Sequence, residues 1–89
     1  MMRVISQNGL IDVPYEMTAF HVVGEDVRMN MVGDTGKGSI MAQYSSQEKA
    51  LVVMRTLRER YMDMRKEDVY ADGVYYYVPI FCFPEDDEV

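Results

Sequence analysis

The spacing of apolar positions changes period within residues 39–64. Ile40, Ala42 and Tyr44 alternate with Met41 and Gln43, the period-two pattern of a strand. Further on, Ala50, Val53, Met54, Leu57, Tyr61 and Met64 recur at spacings of three and four. That spacing predicts an amphipathic helix over about residues 46–63, with this stripe facing the core. Thr56, Glu59 and Asp63 lie on the far side, and Val52 among them reads first as an exposed valine and second as a contact point. Ser45-Ser46-Gln47-Glu48 fits a capping box. In it the Ser45 hydroxyl accepts from the Glu48 amide and the Glu48 carboxylate reaches back to the Ser45 amide.

Strand-like alternation fills most of the remaining chain. Residues 3–6 form a short strand, Gln7-Asn8-Gly9 a turn, and residues 10–13 a second strand that Pro14 ends or marks as an edge. The clearest hairpin follows. Ala19, His21 and Val23 share one face of its first arm, with Phe20 and Val22 on the other; Val27, Met29 and Met31 point inward from its second arm. Residues 33–38 hold three glycines and form a flexible loop. Beyond the helix, residues 65–68 are a charged connection and Asp72-Gly73 a tight hairpin turn. Residues 74–83 form a last strand, with Pro79 placing it at an edge or a bulge. Short connections favour antiparallel neighbours. The expected fold is therefore α+β. An antiparallel sheet of about five strands has the single helix packed on one face, and the final strand follows the helix.

At 89 residues the chain is one domain, with an acidic C-terminal tail at 85–89. An apolar fraction of 48% and a charged fraction of 27% are those of a globular protein. No apolar run nears the ~20 residues that span a bilayer, and the N-terminus lacks a signal-peptide core. No membrane partner is expected, and the default location is the cytoplasm. A net charge of −6 disfavours nucleic acid as a partner. The acidic run 85–88 reads first as a solvated tail, and second as a contact for a basic partner.

Few residues could carry chemistry. Cys82 is the only cysteine and reads as a small buried hydrophobe. His21 is the only histidine, so neither a Cys–His nucleophile nor a zinc pattern emerges. Gly36-Lys37 suggests a phosphate loop, but that motif's first glycine would fall at Met31, its hydroxyl residue at Gly38, and a strand follows instead of a helix. Asp86 and Asp87 lack calcium-loop spacing. No catalytic residue, cofactor or metal site is expected. The one interface-like composition is a helix flank where Leu51 and Met62 flank Arg55 and Arg58, a pattern that equally suits a helix margin packed beneath a loop. Tyr75 and Tyr77 add a candidate aromatic contact surface on the last strand.

Several segments are similar to a group of small proteins of Gram-positive bacteria and their prophages. These are residues 2–7 and 11–16, Ala42-Gln43-Tyr44-Ser45, and residues 81–89. The resemblance implies a bacterial or phage origin and carries no activity with it. The functional expectation is a non-enzymatic protein-interaction module, either an adaptor or a self-associating protein. Its partner is another protein or a second copy of the chain, paired through residues 74–83. The nine methionines and the tyrosine-rich strand motivate it, since methionine adapts to irregular contacts. The rivals are a nucleic-acid-associated regulator using the helix arginines and a small enzyme with converging carboxylates.

Overall fold

The computed structural model describes residues 2–34, 36–70 and 79–89. It is α+β, with strands β1 (Arg3–Ile5), β2 (Asp12–Pro14), β3 (Thr18–Val23), β4 (Asp26–Met31) and β5 (Ser39–Gln43), helix α1 (Gln47–Tyr70) and strand β6 (Ile80–Cys82). The strands form two three-stranded sheets, ordered β2-β1-β6 and β3-β4-β5, in place of the expected single sheet of about five strands. The break falls at Pro14 and the 3-10 turn Tyr15–Met17. Pro14 has no amide to continue a ladder, so the chain turns and starts a second sheet. β1 then takes β6 as its other neighbour, in parallel register, with Val4 opposite Phe81. That pairing departs from the antiparallel rule because the chain has crossed the whole fold before it returns.

The hairpin of β3 and β4 has the expected faces. Its two-residue turn has Gly24 at φ 61°, the first-position glycine of a type II′ turn. Val27 and Met29 are buried, while Ala19 and Val23 are exposed. β5 carries a bulge: Val27 faces Ala42 and Arg28 faces Ile40, which leaves Met41 as the extra residue. Met41 and Ala42 are consequently both buried. The Met41 carbonyl accepts the Gln7 amide at 2.7 Å, and Gln7 Oε1 accepts the Gln43 amide at 3.1 Å. Gln7, in the turn between β1 and β2, thus occupies the free edge of the second sheet.

Both sheets and α1 share one core. Val4, Val27, Met41, Val53 and Leu57 are its largest fully buried members, and Phe81 and Phe83 join it from the C-terminal segment. The predicted helix stripe faces it throughout, with Ala50, Val53 and Leu57 buried and Met54, Tyr61 and Met64 packed against them. Val52 is exposed.

Four local expectations need correction. The helix continues to Tyr70, so residues 65–68 belong to it rather than to a connection. Ser46, not Ser45, caps it: its hydroxyl accepts the Lys49 amide at 3.2 Å. The Ser45 amide instead donates to Asp86, which anchors the acidic end at that residue, while Glu85, Asp87 and Glu88 are exposed as expected of a solvated run. Cys82 is exposed, because Phe81 and Phe83 take the inward positions on either side of it. The Asp72-Gly73 turn and residues 74–78 lie outside the described residues. Of the last strand, Ile80–Cys82 is seen, at an edge of its sheet.

Candidate functional site: a cleft between β3 and α1

A cleft of about 560 Å³ opens between the start of β3 and the middle of α1. Tyr15, Glu16, Thr18 and Phe20 form one side; Met54, Leu57, Arg58 and Tyr61 form the other. The first side is fixed by hydrogen bonds to backbone carbonyls. The Tyr15 amide donates to the Met2 carbonyl at 2.9 Å, and Thr18 Oγ1 donates to the Pro14 carbonyl at 2.6 Å. These hold the 3-10 turn against β1 and aim Tyr15 toward the helix. The second side follows from helical spacing. Met54, Leu57 and Tyr61 belong to the core stripe, and Arg58 lies one residue off it, at the exposed rim.

Aromatic rings bridge the two sides. Tyr15 stacks on Tyr61 with centroids 4.2 Å apart and on Phe20 at 5.8 Å. Phe20 in turn meets Phe83 at 6.3 Å, which ties the cleft to the C-terminal segment of the core. Burial pushes the Tyr15 hydroxyl above its ordinary pKa. Tyr61 adds to that rise, and the Arg58 guanidinium opposes it.

The predicted helix flank is exposed and continuous with this cleft. Leu51 and Met62 retain 53% and 56% of their accessible surface, and Arg55 and Arg58 are exposed between them. Their spacing of four, three and four residues puts them along one line of α1. Arg3, Arg28 and Lys49 each have an ion-pair partner, whereas Arg55 and Arg58 have none among the described residues. Tyr75 and Tyr77 lie outside the described residues, and the structure does not join them to this surface. Sequence reading missed the strand-side half: Tyr15, Glu16, Thr18 and Phe20 have no shared period with α1, and only the tertiary fold brings them there. The Pro14-Tyr15 break between two strand patterns was the available signal.

Among the described residues Glu16 is the one carboxylate that lines the cleft. Among the described residues no three His, Cys, Asp or Glu side chains gather as a metal ion would need. No described helix is long and apolar enough to cross a membrane. What the surface offers is apolar area, aromatic faces and guanidinium groups unpaired among the described residues, a composition enriched in contact surfaces. No family model, curated protein or solved structure matches the chain.

Proposed function

We propose that this protein is an interaction module that binds another protein through the outer flank of α1 and the adjoining cleft. The observation that carries the reading is the line Leu51, Arg55, Arg58 and Met62. It combines exposed apolar side chains with arginines unpaired among the described residues, and it borders a cleft with an aromatic wall. Arginine beside apolar and aromatic groups is enriched where binding energy concentrates. The exposed methionine suits a surface that adjusts to its partner.

Affinity capture with the full chain tests this reading. A specific protein is retained by the wild type with and without nuclease. It is lost with a Leu51→Asp/Met62→Asp variant that keeps the wild-type melting curve. A partner that binds the variant equally well would move the interface elsewhere. Partners that vanish with nuclease would replace the reading with nucleic-acid association.

A further inference from the structure

The register of β3 determines where its backbone groups point. Val23 faces Asp26 across the two-residue turn, which makes that pair hydrogen-bonded. Bonded pairs then alternate along the strand through His21–Arg28 and Ala19–Asn30. The Val32 amide donates to the Met17 carbonyl at 3.3 Å, which continues the same parity past the strand's end. Thr18, Phe20 and Val22 therefore direct their N–H and C=O groups away from β4. The Thr18 N–H is taken by the Tyr15 carbonyl. The N–H and C=O of Phe20 and Val22 have no partner among the described residues.

No other described edge is like this one. β2 and β6 are three residues long, and β2 ends in a proline. The outer edge of β5 is occupied by Gln7. β3 is six residues long and has no strand on its outer side among the described residues, and Thr18 and Phe20 on it line the cleft whose other wall is α1. An open strand edge beside a helix wall is a slot for one added strand.

Resting on the interaction-module reading, we infer that the slot binds an extended peptide segment of the partner. The segment adds antiparallel to β3 and sets an acidic side chain against Arg58. The Phe20 and Val22 backbone groups supply two donors and two acceptors, about 6.8 Å apart along the strand, the repeat of an extended chain. Phe20 and Met54, both half-buried in the cleft wall, receive its apolar side chains. Charge selects the acid at the helix wall: Arg58 lines it with no ion pair among the described residues and Arg55 stands one turn before it, while Glu16 lies on the opposite wall. A second copy fits less well. It would bring its own α1, which packs against β3 and β4, into the same slot.

The test uses the full chain, labelled for amide NMR, and blocked octapeptides with Val, Leu or Tyr at alternate positions and Thr between them. Each peptide carries one Glu or one Lys at a scanned position. Glu peptides should shift the Phe20 and Val22 amides, with Lys peptides at least tenfold weaker and Arg58→Glu reversing that order. Val22→Pro, which removes an outward amide, should weaken binding at least tenfold. Because that variant could unfold β3, the same question is put to the peptide. N-methylation of alternate amides in one register should abolish binding, and in the other register should not. Absence of shifts at Phe20 and Val22 up to millimolar Glu peptide would overturn the inference. So would indifference to N-methylation, or the same shifts arising from protein concentration alone, which would assign the edge to a second copy. A captured partner lost with Leu51→Asp/Met62→Asp but unaffected by Val22→Pro would leave the module standing and the peptide slot refuted.

Discussion

The Ser45 backbone amide donates to Asp86 Oδ1 at 2.7 Å, joining the entrance of α1 to the last turn of the chain. Lys49 Nζ completes the contact, donating to the Asp86 carbonyl at 2.9 Å and reaching Oδ2 at 3.4 Å. A carboxylate at the start of a helix also faces its positive dipole end. The hydrogen bond from the Ser45 amide, assisted by Lys49, holds the Asp86 carboxyl below its ordinary pKa. A carboxyl lowered on folding stabilises the fold at pH values above its unfolded pKa, near 4, and ceases to do so as pH falls through the folded value. Asp86→Asn should therefore lower the melting midpoint by a few degrees at pH 7. The two midpoint curves should converge below about pH 4. Thermal melts of both proteins from pH 2.5 to 8 check this.

Leucines on α1 separate packing from surface. Leu57 is fully buried in the shared core, and Leu51 is exposed on the outer flank. Leu57→Ala should cost about 2–5 kcal/mol through lost burial and the cavity left behind. Leu51→Ala should stay within about 0.5 kcal/mol of the wild type. Urea unfolding of both variants measures the difference, and equal losses would mean that Leu51 is not free surface.

Glycines in the loop before β5 should also diverge. Gly38 has φ +84°, and an added Cβ would meet the Met29 carbonyl oxygen at 2.6 Å and Asn30 Oδ1 at 2.8 Å. Gly36 has neither constraint. Gly38→Ala should cost more than about 1 kcal/mol, and Gly36→Ala should be neutral or slightly stabilising. Chemical denaturation of the pair tests it.

Tyr15 reports on the cleft directly. Its hydroxyl is raised by burial and by Tyr61 and held back by Arg58. Arg58→Gln should therefore raise the Tyr15 pKa further, while the secondary structure stays intact. Ultraviolet or NMR titration of the tyrosines above pH 9 follows it. A downward movement would mean that Arg58 does not face the ring.

Local periodicity carried the helix and the β3–β4 hairpin. Ala50, Val53, Leu57, Val27 and Met29 were all legible as core because period and burial agree over short spans. The two-sheet arrangement was not legible. It depends on Val4 meeting Phe81 in parallel, a pairing between chain ends that no local pattern encodes. Cys82 was misplaced because an apolar run hides the parity of a strand until Phe81 and Phe83 are seen to face inward. At the acidic end the exposure of Glu85, Asp87 and Glu88 was legible, but the anchoring of Asp86 was not, because its partners Ser45 and Lys49 lie far away in sequence. Half of the cleft, Leu57, Arg58 and their helical neighbours, lay on the predicted helix. The half around Tyr15 and Phe20 required the turn after Pro14 to bring it there.

The most direct test of the interaction reading is amide hydrogen exchange on the full chain, alone and with its captured protein partner bound. The account predicts new protection within residues 47–62 of α1 and within residues 15–22. Protection confined to β1, β2 and β6, with α1 and β3 unchanged, would contradict it.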